Sequence, residues 1–149
     1  MHPLLFVHLI AVGLWAGCIA TEVVLELTEG QRPPLDSRLA PLHAWVDRAV
    51  ELPAIAMAAL TGGALLHHSP IATDPLLQAK VGLGASAVPL NLAAAFTVQR
   101  RYQAWLRQDL AAYAHAHLWH ERIGVGCVLT LVSALLLGGW RLTGALAAG

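Results

Sequence analysis

Residues 4–27 read Leu-Leu-Phe-Val-His-Leu-Ile-Ala-Val-Gly-Leu-Trp-Ala-Gly-Cys-Ile-Ala-Thr-Glu-Val-Val-Leu-Glu-Leu, with His8, Glu22 and Glu26 as the strongly polar interruptions. As one helix the stretch rises about 36 Å, enough to cross a hydrocarbon core about 30 Å thick. Three more stretches of similar character follow, at about Trp45 to Leu66, Leu77 to Val98 and Leu118 to Trp140. The expected fold is therefore all-α: a single integral membrane domain over residues 1–149, a four-helix transmembrane bundle. Composition agrees, since 57% of the 149 residues are hydrophobic and only 12% are charged, outside the range of ordinary soluble domains.

The second span is the shortest in strictly apolar residues, Leu52 to Leu66, and reaches membrane length only by drawing in Asp47 and Glu51. Prolines at 33, 34 and 41 mark Thr28 to Leu42 as a loop, whereas Ser69-Pro70 and Asp74-Pro75 mark a tight turn between the second and third spans. Arg100 to Ala116 has helical composition and either prolongs the third helix or lies on the surface. The N-terminus, Met1-His2-Pro3, has no basic leader and no small-residue cleavage site, so the first span is expected to stay as a helix.

Basic residues set the expected orientation. Arg32, Arg38, Arg48, Arg100, Arg101, Arg107 and Arg122 lie on the side of the first and third connections, against Lys80 and Arg141 on the other. The positive-inside rule then places both termini outside and the Arg-rich end in the cytoplasm, as in an inner (cytoplasmic) membrane protein of several passes. Nine basic and nine acidic residues balance, so nothing points to nucleic acid. The expected partners are the lipid bilayer and a membrane-soluble substrate, with a homo-oligomer left open.

At the Arg-rich end sit Glu22, Glu26, His43, Asp47, Glu51, His117, His120 and Glu121. At about 100° per residue, Glu22 and Glu26 share a face of the first helix, and His43 and Asp47 share one of the second, with Glu51 somewhat to one side. An acid in a spanning helix costs roughly 2.5–3.5 kcal/mol unless something compensates it. A cation compensates acids and also uses histidines. Glu22, Asp47, Glu51, His117, His120 and Glu121 are therefore the expected ligands of one or two transition-metal ions, iron, manganese or zinc, with Glu26 and His43 as further ligands or supporting groups. Such a centre serves metal-dependent redox chemistry or metal handling without turnover. The alternative is a hydrated cluster paired with Arg48 and Arg122, but each of these arginines projects about 100° from its helix's acidic face.

A second constellation lies at the opposite end, where His8, His67, His68 and Lys80 fall in one leaflet. His8 and His68 are of the type that ligates a b-type haem. A third possibility, a proton or cation carrier, requires a polar path through the middle, and Leu52 to Leu66 offers almost none. Cys18 and Cys127 lie within apolar segments and read as buried thiols. Pro53 and Pro89 each free a backbone carbonyl inside a span, and Asn91 reads as an interhelical hydrogen-bonding group.

The run from His8 to Gly17, His-Leu-Ile-Ala-Val-Gly-Leu-Trp-Ala-Gly, resembles the first helix of the small four-helix membrane proteins grouped with HemJ-type protoporphyrinogen oxidases and CopD-type copper-resistance proteins. Leu52-Pro53-Ala54 leading to Thr61-Gly62, Lys80 opening the third helix and Leu118-Trp119-His120-Glu121 opening the fourth are similar pieces. The resemblance implies a redox or metal-handling membrane protein and, carried onto His8 and Lys80, a haem b site. Where the HemJ-type proteins have a basic residue near the end of the first helix, this chain has Glu22 and Glu26.

Overall fold

The computed structural model describes residues 3–29, 38–67 and 73–147, with side chains described at 3–27, 38–67 and 73–140. All regular structure among these residues is helical. Helix α1 spans Pro3–Glu29, α2 Leu39–His67, α3 Pro75–Leu106 and α4 Leu110–Ala147. Each is long and apolar enough to cross a membrane.

Three helices are longer than the apolar pattern suggests, and the reasons are local. Helix α2 begins at Leu39 rather than near Trp45, so part of the expected loop is helical. Pro41 falls in the first turn, where its missing N–H would have had no intrahelical acceptor. Helices α3 and α4 both extend past their apolar cores and are joined by only Arg107, Gln108 and Asp109. Gln108 makes the turn with φ 55°, and the Asp109 carboxylate accepts from Ala112 N–H at 2.9 Å to start α4. Asp74 does the same for α3, accepting from Leu77 N–H at 3.0 Å with Pro75 in the first turn.

Helix α2 is not uniform. It is α-helical over Leu39–Val46, π-helical over Asp47–Glu51 and α-helical again over Leu52–His67. Pro53 supplies the cause. It has no N–H for the Ala49 carbonyl, and its ring would press on that carbonyl in a regular helix. The chain widens by one residue instead, and Leu52 N–H donates to the Asp47 carbonyl five residues back.

Helix α3 packs along α4, and α1 packs along the Leu52–His67 part of α2. The central core is made of small residues around one large one: Ala11 and Trp15 of α1, Ala54, Ile55 and Ala58 of α2, Ala87 of α3, Cys127 and Leu131 of α4. Small side chains let helix backbones approach closely, the usual solution where lipid removes the hydrophobic drive for association. Asn91 is the polar knot of this core, accepting from Trp15 Nε1–H at 2.8 Å and from the Cys127 thiol at 3.2 Å. Both cysteines are free and buried. The outer surface is the converse of a soluble protein's, with Leu60, Leu129, Leu136 and Phe96 all more than half exposed, an arrangement that suits hydrocarbon and not water.

Candidate metal centre

The π-turn decides where the acids of α2 point. Between His43 and Glu51 a regular α-helix would accumulate about 80° of rotation, leaving Glu51 off the face of the other two. The wider turn takes up that drift. His43, Asp47 and Glu51 are all buried, on the side facing α1, α3 and α4. Glu22 of α1 reaches the same place, with its side chain only slightly exposed.

Two groups of potential ligand atoms result, sharing Glu22. One oxygen each of Glu22, Asp47 and Glu51 lie within 4.8 Å of one another, and so do ligand atoms of Glu22, His43 and His120. Two donors bound to one ion at about 2.0–2.2 Å are separated by at most about 4.4 Å, so small side-chain adjustments suffice to close either group on a cation. Glu22 Oε1, Asp47 Oδ1 and Glu51 Oε1 are buried without a hydrogen-bond partner. Three ionised carboxylates so placed would repel one another and are desolvated as well, a combination relieved by a cation or by protons held between them.

The imidazoles stand at the α3–α4 side of the acids. His43 Nε2 lies 3.1 Å from Glu22 Oε2 and 3.5 Å from Asp47 Oδ1, although its N–H direction is not aligned with either oxygen. The His43 and His120 rings meet edge to face at 4.9 Å between centroids. His120 Nδ1 lies 3.4 Å from Thr97 Oγ1.

Behind this centre is a residue that the sequence pattern did not bring forward as part of the site. Arg101 of α3 is 0% exposed. Its guanidinium contacts Glu26 Oε1 at 2.5 Å, His117 Nδ1 at 3.2 Å and His43 Nδ1 at 2.6 Å. Glu26 and His117 thus gather around Arg101 and not around Glu22, Asp47 and Glu51, although Glu26 Oε2 is likewise buried without a hydrogen-bond partner. His117 in turn lies 3.5 Å from Glu121, whose side chain is 59% exposed. Of the eight residues expected at this end, the structure brings Glu22, His43, Asp47, Glu51 and His120 together, joins Glu26 and His117 to the arginine, and leaves Glu121 at the surface.

A signal for Arg101 existed. Ala87, Asn91, Ala94, Val98 and Arg101 recur at alternating steps of four and three, and all are buried. Extending the face of Asn91 along α3 leads to the second arginine of the Arg100-Arg101 pair. The other two arginines turn away from the acids as their wheel positions require: Arg48 hydrogen-bonds Gln99 and stacks over Tyr102, and Arg122 lies over Trp119. On the α2–α3 flank a groove of about 550 Å³ runs from the exposed Leu92 and Phe96 to Asp47, with Arg48 and Gln99 also lining it.

At the opposite end, the His8 ring is wedged between α1 and α2. Its Nδ1 is 3.0 Å from Thr61 Oγ1, and a Cβ on Gly62 would stand 3.1 Å from its Cε1. The Thr61-Gly62 pair therefore has a packing reason to follow its helix as it does. The Lys80 chain lies against Gly138, where a Cβ would come within 3.1 Å of Cε. His68 falls outside the described residues.

Compared with known proteins, the chain matches no family model, no curated protein and no solved structure.

Proposed function

We propose that the chain is an integral membrane metalloprotein, a four-helix bundle of the inner membrane with its termini outside, holding one or two transition-metal ions at its cytoplasmic end. The observation that carries this reading is the convergence of the Glu22, Asp47 and Glu51 carboxylates, each with a buried oxygen that has no hydrogen-bond partner, beside two buried imidazoles. Glu22 belongs to both ligand groups, and a carboxylate has two oxygens, so it is the natural bridge if two ions bind.

The donor types favour iron, manganese or zinc. With Asp47 at the floor of a groove whose walls are lipid-facing, the centre is suited to redox chemistry on a membrane-soluble substrate, and equally to taking up and releasing the ion itself. A bound ion supplies Lewis acidity or electrons. The chain supplies the dry pocket, the anionic ligands and, through Arg101, a fixed frame of positive charge on their far side.

A haem at the opposite end, held through His8, is the rival reading, favoured by the way Thr61 orients that imidazole between two helices. Elemental analysis of protein purified in detergent without added metal tests the first reading. Stoichiometric iron, manganese or zinc without a haem spectrum supports it, and a metal-free protein that binds none on titration overturns it.

A further inference from the structure

We infer that only one of the two buried imidazoles, His120, is available to the metal, and that Arg101 withholds the other. This rests on the metal-site reading above and goes further, because it assigns the donor set and through it the class of ion.

A histidine ligates through a ring nitrogen that carries no hydrogen, and a neutral imidazole has one such nitrogen. Which nitrogen that is follows from the partners around each ring. Thr97 has a single hydroxyl hydrogen, and its short contact, 2.7 Å to the Ala94 carbonyl, uses it. Thr97 Oγ1 therefore faces His120 Nδ1 as an acceptor, across 3.4 Å. The ring hydrogen of His120 sits on Nδ1, and Nε2 keeps its lone pair. A hydrogen bond of this kind from the far nitrogen is the usual support of a metal-binding histidine.

His43 is held the opposite way. Arg101 has hydrogens to donate and nothing with which to accept, and its Nη2 is 2.6 Å from His43 Nδ1. No ring hydrogen fits between them, so Nδ1 is the acceptor and the hydrogen of the neutral ring sits on Nε2. That nitrogen is the one turned toward Glu22 and Asp47, at 3.1 Å and 3.5 Å. Coordination through it would require an imidazolate with no hydrogen on either nitrogen. Glu26 and His117 hold the other side of the guanidinium, so Arg101 is not free to turn away.

The resulting donors are Glu22, Asp47 and Glu51, which lie within 4.8 Å of one another, and His120, which joins them through Glu22: three carboxylates and one imidazole. This is a hard, oxygen-rich site, of the kind suited to manganese(II) or iron(II), and a poor one for copper(I). His43 acts as a positioning residue whose Nε2 lies beside the carboxylates of Glu22 and Asp47 without ligating.

Pulsed electron paramagnetic resonance on the full-length protein in detergent, loaded with manganese(II), counts the coordinated imidazole nitrogens. We expect one coupled imidazole in the wild type, retained in His43→Asn and lost in His120→Asn. Two coupled imidazoles in the wild type, or a coupling lost in His43→Asn and kept in His120→Asn, overturns the assignment while leaving the metal site standing. Wild-type protein that binds no manganese(II) in equilibrium dialysis overturns both. Arg101→Gln gives a further readout: a glutamine carbonyl accepts from Nδ1, which frees Nε2, so a second imidazole coupling should appear. Its absence in a folded Arg101→Gln protein counts against the role given to the arginine.

Discussion

Arg101 on α3 donates to His43 on α2 across 2.6 Å, and neither side chain is more than 1% exposed. A guanidinium so placed is stable only with its partners in position, and removing it leaves the partly buried Glu26 without its arginine counter-charge. Arg101→Met should therefore lower stability by about 3–5 kcal/mol, against about 0–1 kcal/mol for the exposed Arg48→Met. Thermal unfolding in detergent, followed by tryptophan fluorescence, measures both. Equal, small effects would show that the buried cluster contributes nothing.

The ligand assignment predicts a sharp division among the acids. Glu22→Gln, Glu51→Gln and His120→Ala should each weaken metal binding by roughly 10–100-fold or more, because each removes a donor from a desolvated centre. Asp109→Asn, at the exposed α3–α4 turn, should leave it unchanged. Glu121→Gln discriminates most finely. The sequence pattern groups Glu121 with the ligands, whereas its exposed position next to His117 makes it a second control. Metal content after dialysis against a chelator reads all five.

The π-turn makes Pro53 matter to a site that it does not touch. Pro53→Ala restores the missing N–H and lets α2 close into a regular helix, which swings Glu51 away from His43 and Asp47. We expect metal affinity to fall by at least roughly 10-fold, as for lost supporting groups in other metal sites, with stability unchanged or raised. Metal affinity equal to the wild type would show that the turn is not needed to aim the acids.

Orientation is tested by Arg38→Cys and Thr73→Cys, placed at exposed positions near opposite ends of the bundle. The native thiols are buried and give little background. An impermeant thiol reagent applied to intact cells should label Thr73→Cys and spare Arg38→Cys. The reverse labelling would put the acidic end outside.

The rival haem reading has a spectroscopic test. We expect no Soret band from protein expressed with a haem precursor. A Soret band present in the wild type and absent from His8→Ala would move the redox centre to the other end of the bundle.

The four helices were legible because apolar length is a one-dimensional property that the chain displays directly. Helix ends were less so: Pro41 looks like a loop residue by composition, and only its place in the first turn of α2 makes it helical. The acids and histidines at the Arg-rich end were visible as types, but their grouping depends on rotation about helix axes. A wheel at constant angle leaves Glu51 to one side, because the one-residue widening before Pro53 is not part of a regular pattern. Arg101 was hidden for a different reason. It stands beside Arg100 in a basic stretch that the positive-inside rule already explains, and nothing in residue type separates the exposed Arg100, stacked on Phe96, from its buried neighbour.

A π-turn is equivalent to one extra residue inserted into an α-helix, and the extra residue resets the phase of everything beyond it. In α2 this means that the half from Leu52 onward, fixed against α1 through contacts such as Thr61 with His8, and the half carrying His43 follow two separate angular registers joined at Asp47–Glu51. Substitutions that repack the apolar half need not rotate His43, and changes near His43 need not disturb the apolar half. The seam lies among the acids themselves. A small bundle has few places where chemistry and packing can change independently, and in this chain one such place is a single turn of helix.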